Sequence, residues 1–253
     1  MNRNIRTTED VLAMLDRLFT PDADRWTRDG SAWWDRFYGD RSREVPFFVD
    51  KPDENLVDHL EAGRIVAPGR VLELGCGPGR NAVHLASRGF TVDAVDLSPA
   101  ALRWGEERAR AAGVDVRFHC ADIFSAELPP GSYDLVYDSG CLHHLPPHRR
   151  VGYLALLDRV LAPGGHFALT CFAAGGMGSE LDDEEFYRRG SLEGGLAYSP
   201  DTLRGLFGDA ADSVAGYREI ELRPMREQSA DSDAFGETFL LTALFRRPVG
   251  SAG

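Results

Sequence analysis

The sequence predicts an α/β fold: a doubly wound sheet of seven strands, mostly parallel, ending in an antiparallel C-terminal hairpin and preceded by an N-terminal helical lid. Three observations predict it. Short apolar runs alternate with segments of helical period between Val71 and Phe172, the signature of a parallel sheet covered on both faces. A glycine-rich loop follows the first run directly. The last two apolar runs have no helix of useful length between them, so they should pair antiparallel.

The first strand is expected at Val71–Leu74, running into Gly75-Cys76-Gly77-Pro78-Gly79. A helix follows over Asn81–Ser87, carrying Val83, Leu85 and Ala86. The second strand covers Thr91–Val95 and ends at Asp96. Ser98 stands as N-cap of the next helix, Pro99–Ala112, with Pro99 at its first position. The third strand runs Asp115–His119, ending near Asp122, and the fourth runs Tyr133–Tyr137, ending at Asp138. Val151, Leu154, Leu157, Val160 and Leu161 give Arg149–Leu161 a helical spacing, and Pro163-Gly164-Gly165 stops it. The fifth strand is His166–Phe172. Residues 173–178 are glycine-rich and 179–185 acidic, with the run Leu181 to Glu185 read as a solvated face and not a cation site. Ser199-Pro200 opens a helix through Leu203, Leu206 and Phe207, and the strands Tyr217–Leu222 and Thr238–Phe245 close the sheet.

Residues 1–69 are set apart by their aromatic content: Trp26, Trp33, Trp34, Phe37, Tyr38, Phe47 and Phe48. Positions 33, 34, 37 and 38 share one face of a helix. A doubly wound sheet leaves the C-terminal ends of its strands open. We therefore read 1–69 as a lid on the domain 70–253 and not as a second domain.

The balance of 28 Lys+Arg against 40 Asp+Glu gives a net charge of −12. That opposes a nucleic-acid partner, which needs a basic face, and docking on an anionic membrane. Hydrophobic residues at 43% and charged residues at 27% are those of a globular chain. The first residues carry Arg3, Arg6, Glu9 and Asp10 without a long apolar run, unlike a secretory signal. No segment has the ~18 uncharged apolar residues of a membrane span. Cys76, Cys120, Cys141 and Cys171 form no CxxC pair, as expected of reduced thiols in a cytoplasmic protein. A homodimer is compatible with all of this.

The glycine loop has the spacing GxGxG and not the GxGxxG of the dinucleotide fingerprint. Pro78 also removes a backbone N–H that would cradle a pyrophosphate. Both features disfavour a nicotinamide dinucleotide and suit a ligand without phosphates. Asp96 ends the second strand, where a carboxylate accepts from ribose hydroxyls. Asp122 ends the third strand, on the adenine side of such a ligand.

These residues resemble the class I S-adenosylmethionine-dependent methyltransferases. Glu73-x-Gly75-x-Gly77-x-Gly79 looks like their first motif, Asp96 their second and Asp122-Ile123 their third. Tyr133-Asp134-Leu135-Val136 resembles the start of their fourth, and Leu161-Ala162-Pro163-Gly164-Gly165 the turn before their fifth strand. The resemblance implies a Rossmann-like sheet and S-adenosylmethionine as cofactor. It implies that Gly75, Cys76, Gly77 and Gly79 pass the methionine moiety. Asp96 would hold the ribose with Leu97 beside the adenine, Asp122 and Ile123 would flank the adenine, and Asp138 would sit near the amino-acid end.

The stretch from Tyr137 to Arg150 follows the fourth strand, where donor and acceptor meet in this fold. It lacks the Asn/Asp-Pro-Pro-Tyr motif of enzymes that methylate nitrogens in nucleic acids and proteins. Its pattern instead resembles the small-molecule methyltransferases, which implies a small-molecule acceptor. Asp138 with Leu145-Pro146-Pro147-x-Arg149, and Gly194-Gly195-Leu196-Ala197-Tyr198-Ser199, resemble the thiopurine, thiol and tellurite branch. A thiol or other soft nucleophile is the preferred acceptor, and a hydroxyl or amine of a specialised metabolite the alternative. A thiol needs no strong base, since its pKa of about 8.5 leaves a few per cent ionised at neutral pH. For a protonated acceptor, His143 and His144 are the candidate bases, with Asp138 the third catalytic candidate. Trp33, Trp34, Tyr38, Phe47 and Cys141 are the expected substrate contacts, with Phe48 beside them. No metal is expected, because Pro146-Pro147 breaks any helix aligning His144 with His148. A non-catalytic donor-binding module on the same scaffold would show a damaged glycine loop or no ribose acid. Both are intact here.

Overall fold

Alternation along the strands decides the architecture. Val71, Leu135, Tyr137, Ala168 and Leu244 point to one face of a sheet, where they bury Leu56, Leu85 and Leu102. Their neighbours Leu72, Val136, Phe167, Leu169 and Phe245 point to the other, onto Tyr153, Leu157 and Phe207. Both faces are apolar, so helices must cover both. The computed structural model describes residues 5–18 and 30–249; Trp26 lies outside the described residues.

The strands are β1 (Arg70–Leu74), β2 (Thr91–Asp96), β3 (Arg117–Cys120), β4 (Tyr133–Ser139), β5 (Leu161–Phe172), β6 (Arg218–Pro224) and β7 (Leu240–Arg246). They form one sheet in the order β3-β2-β1-β4-β5-β7-β6. The first five pair in parallel, and β7 runs antiparallel to both of its neighbours. The helices are α1 (Thr8–Leu18), α2 (Gly30–Gly39), α3 (Glu54–Glu61), α4 (Arg80–Ser87), α5 (Pro99–Ala112), α6 (Arg149–Val160), α7 (Asp183–Arg189) and α8 (Pro200–Phe207). The doubly wound sheet with an antiparallel hairpin is thus the expected one.

Several boundaries differ from expectation, each for a local reason. The helix α6 ends at Val160 and β5 begins at once at Leu161, so Pro163-Gly164-Gly165 lies inside the strand and stops nothing. There the β4–β5 register shifts, and a Cβ on Gly165 would sit 3.0 Å from the Tyr133 carbonyl oxygen. The third strand begins at Arg117, two residues later than expected. The acidic stretch 179–185 runs into the short helix α7, which exposes its Arg188–Glu184 and Arg189–Glu185 pairs but buries Phe186.

Residues from Asp53 onward are built into the sheet domain. Leu56 of α3 is fully buried, and Glu54 receives both Arg223 and Arg226 from the strand β6 and the segment after it. The side chains of Asp58, His59 and Glu221 converge on Arg64 Nη1 at 3.3, 3.2 and 3.3 Å. The guanidinium takes the place that a cation would need among those ligands. Nearer the N-terminus, α1 docks on α6 through Asp16, which bonds Arg149 and, at 2.6 Å, His148 Nε2. Among the described residues no helix is long and apolar enough to cross a membrane.

Candidate active site

The order β2-β1-β4 reverses the winding between β1 and β4, and ligands bind in the crevice at such a switch point. A cavity of about 340 Å³ opens there. Its floor is the glycine loop and the ends of β1, β2 and β4; its roof is α2 and the segment 45–47.

The floor is shaped for close approach. Gly75 and Gly77 have φ of +60° and +51°, conformations that residues with a Cβ rarely take. A Cβ on Gly75 would meet Cys141 Cβ at 2.8 Å, and one on Gly77 would meet the Tyr38 hydroxyl at 2.9 Å. Gly77 N–H donates to Asp96 Oδ2 and Ser98 N–H to Asp96 Oδ1, each at 2.8 Å. The Asp96 carboxylate is therefore fixed in orientation while keeping acceptor capacity on both oxygens. Burial pushes it up to about 6 against these hydrogen bonds. Burial likewise pushes Glu73 up to about 8, and its Oε2 has no hydrogen-bond partner among the described residues.

Behind Glu73 lies a polar network. Arg80 pairs with Asp53 at 2.5 Å, donates to Ser139 Oγ at 3.2 Å and lies over the Phe235 ring. Asp53 Oδ2 also accepts from Asn81 Nδ2 and from the Tyr137 hydroxyl. Position 53 precedes the expected domain, so neither spacing nor composition pointed to it.

The roof is aromatic. Trp33 stacks on Phe37, Trp34 on Tyr38, and Phe37 on Phe47. Two carboxylate bonds seat α2: Asp35 Oδ1 accepts from Ala100 N–H at 2.6 Å and from Ser98 Oγ at 3.1 Å. Tyr38 packs on Ala100 and Ala101, which pins α2 to the start of α5.

After β4 the chain makes a single 3-10 turn, Leu142–His144. Asp138 holds this turn: it accepts from Cys141 N–H at 2.7 Å, Leu142 N–H at 3.0 Å and the Tyr153 hydroxyl at 2.6 Å. His143 Nδ1 accepts from Phe172 N–H at 3.2 Å, and its ring stacks on Phe172 at 3.7 Å. His143 Nε2 and His144 Nε2 lie 3.1 Å apart. The edge of His144 meets Trp34 at 5.0 Å.

The structure brings most of the sequence-predicted residues to this one cavity. Glu73, Gly75, Cys76 and Gly77 line it from β1 and its loop, with Asp96 and Leu97 from β2 and Asp122 and Ile123 after β3. Cys141, His143 and His144 line it after β4, and Trp33, Trp34, Tyr38 and Phe47 line it from above. Three expectations are corrected. Asp138 is fully buried behind the turn and does not line the cavity, because its carboxylate is spent on the turn's backbone. Gly79 is the N-cap of α4 with φ of +68°, packed on Phe118 and not on the cavity. Phe48 turns away to pack on Tyr38 and Trp104. Arg80, Asn81, Thr170, Phe172 and Phe239 line the cavity and were missed. For Arg80 and Asn81 a signal existed, since they directly follow the glycine loop. The others come from β5 and the start of β7, which meet the site only through sheet order.

Residues 71–165 match the family described as a methyltransferase domain. The chain is 29% identical over 138 residues to the 2-heptyl-1-hydroxyquinolin-4(1H)-one methyltransferase of Mycobacteroides abscessus, covering 54% of this chain and 60% of that protein. It is 35% identical over 129 residues to the 27-O-demethylrifamycin SV methyltransferase of Amycolatopsis mediterranei, covering 49% and 46%. The chain thus spans about half the length of these curated relatives. The solved structure of Burkholderia thailandensis 1,6-didemethyltoxoflavin-N1-methyltransferase, with S-adenosylhomocysteine bound, superposes with a TM-score of 0.58 at 18% identity, covering 98% of this chain and 93% of that one. The fold is that of the S-adenosylmethionine-dependent methyltransferases.

Proposed function

We propose that the protein is an S-adenosylmethionine-dependent methyltransferase acting on a small-molecule acceptor. One observation carries this reading: a polar cradle and an aromatic chamber share a single cavity, the cradle built by Gly75, Gly77 and Asp96 and the chamber by Trp33, Trp34 and Phe47. The cradle fits the donor. A side chain at Gly75 or Gly77 would collide with Cys141 or Tyr38, which line the same cavity, and Asp96 keeps acceptor capacity for a ribose. The unpartnered Glu73 Oε2 suits an ammonium, and the apolar lining suits an adenine. When bound, the donor supplies a methyl carbon to the acceptor's lone pair as the carbon–sulfur bond breaks onto sulfur.

This chain's residues bind, orient and exclude water. Aromatic faces attract a sulfonium by cation–π interaction and an apolar acceptor by burial. Alignment of the two reactants supplies most of the rate. We read α2 and the segment 45–47 as the lid that closes over both.

The acceptor we favour is a thiol or another soft nucleophile, because such a group needs no strong base. A second reading is methylation of a hydroxyl or amine on a specialised metabolite. It is favoured by the names of the two curated relatives, one a hydroxyquinolone and the other an O-demethylated rifamycin. The test is release of S-adenosylhomocysteine against a panel of aromatic thiols, phenols, hydroxyquinolones and amines. Turnover strongest with thiols supports the first reading, and turnover confined to hydroxyls or amines supports the second. Tight binding of S-adenosylhomocysteine without turnover on any acceptor points to a donor-binding module instead.

A further inference from the structure

We propose that the rim of the cavity, formed by Pro46, Phe47 and Met177, is a subsite for an apolar extension of the acceptor. Only the acceptor's reacting end enters, and an alkyl chain attached to it lies across the rim, with Met177 the residue that selects for it. The inference rests on the methyl-transfer reading above.

Size creates the need for such a subsite. The cavity of about 340 Å³ lies near the lower end of the roughly 300–1,000 Å³ that buries one drug-sized ligand. Direct methyl transfer requires donor and acceptor there together. The cradle over Gly75, Gly77 and Asp96 takes the donor, so the space left is that of a reacting end. The rest of a larger acceptor must leave through the mouth.

That mouth is apolar. Among the described residues that line the cavity, Pro46, Phe47 and Met177 are the exposed ones, and the others are buried or half-buried. Phe47 and Met177 leave 36% and 45% of their surface to solvent. An exposed apolar side chain is ordinary when it stands alone, but three that border one cleft mark a binding surface.

Met177 is held in place by its loop, which leaves β5 after Phe172 and is bonded at both ends to the segment 195–198. Ala174 N–H donates to the Tyr198 carbonyl at 3.0 Å, and Ser179 N–H to the Gly195 carbonyl at 2.8 Å. Gly175 N–H donates to Glu180 Oε1 at 2.7 Å. The glycines on either side of Met177 press the backbone onto the cavity wall. A Cβ on Gly176 would sit 3.0 Å from Phe239 Cα, and one on Gly178, at a φ of +96°, would meet Phe172 Cδ2 at 2.9 Å. Phe172 and Phe239 both line the cavity. Phe47 is fixed separately, by stacking on Phe37 of α2. An unbranched thioether adjusts its torsions to an apolar partner without imposing a shape. The rim therefore suits a chain of variable length better than a second rigid ring.

The test is calorimetric titration, with S-adenosylhomocysteine bound, of 4-alkylthioanisoles from methyl to hexyl. These carry their S-methyl group already and do not turn over. A fully buried methylene tightens binding roughly fourfold, and one covered on one side about twofold. The wild-type protein should therefore gain about twofold in affinity per added methylene, and Met177→Gln, of similar length but polar, less than about 1.5-fold. The slope separates contact from damage, because a disturbed fold weakens the whole series by one factor and leaves the slope alone. Val214→Gln, at an exposed position outside the cavity lining, should keep the wild-type slope. A flat series in the wild-type protein, no binding at any chain length, or an equal slope in Met177→Gln overturns the proposal. If S-adenosylhomocysteine itself does not bind, the methyl-transfer reading fails, and the same series titrated into the free protein still decides whether the rim holds a chain.

Discussion

Asp96 illustrates what one side chain does in this fold. Its carboxylate takes one backbone N–H from the glycine loop and another from the start of α5, locking two loops together at the crevice. The glycine loop is equally exacting. Gly75→Ala would place a Cβ against Cys141 at a φ of +60°, and should cost about 1–3 kcal/mol in urea unfolding together with donor binding. A melt unchanged from wild type would contradict the packing described. Glu73 tests burial directly. With its carboxyl lifted from 4.5 to about 8, the folded state holds the proton more tightly than the unfolded chain. Stability is then highest below about pH 4.5 and declines as pH rises toward 8, at about 1.4 kcal/mol per unit. In Glu73→Gln that decline should vanish, so the variant gains melting temperature over wild type between pH 5 and 8. Parallel curves would sink the account. The glycines and Asp96 were legible because their signal is local, a strand end followed by a loop. The Arg80–Asp53 pair was not, because its partners come from separate elements.

At the scale of elements, the inner strands β1, β2, β4, β5 and β7 were legible because both-sided burial writes apolar runs into the sequence, while the edge strands β3 and β6 are only partly buried and carry alternating polar residues. The short helices α3 and α7 were not, since each buries one apolar residue, Leu56 and Phe186 in turn, and so writes no helical run of apolar positions into the sequence. Helix α2 was read from its aromatic face, but what seats it was invisible. Asp35 lies on one element and caps another, taking Ala100 N–H and Ser98 Oγ at the start of α5. Asp35→Ala should cost about 1 kcal/mol, the ordinary worth of a cap. It should also speed amide hydrogen exchange along α2 more than along β1 or β4. Uniform exchange changes across the chain would show that Asp35 does not tie α2 down.

At the scale of the molecule, the crossover order β3-β2-β1-β4-β5-β7-β6 gathers residues from the whole length into one crevice. That gathering explains the main gap in the sequence reading. Phe172 and Phe239 reach the cavity because β5 and β7 are neighbours, and pairing across that distance has no local signature. The net charge of −12 speaks only for the surface. It predicts no measurable binding to duplex DNA at physiological salt, which fluorescence anisotropy would check. The central claim is that the cavity at the strand ends is a donor site organised by Asp96. Calorimetric titration of S-adenosylhomocysteine tests it most directly. The wild-type protein should bind one equivalent, and Asp96→Ala should bind at least tenfold more weakly while melting as a folded protein. No binding to the wild-type chain, or equal binding to both, would contradict it.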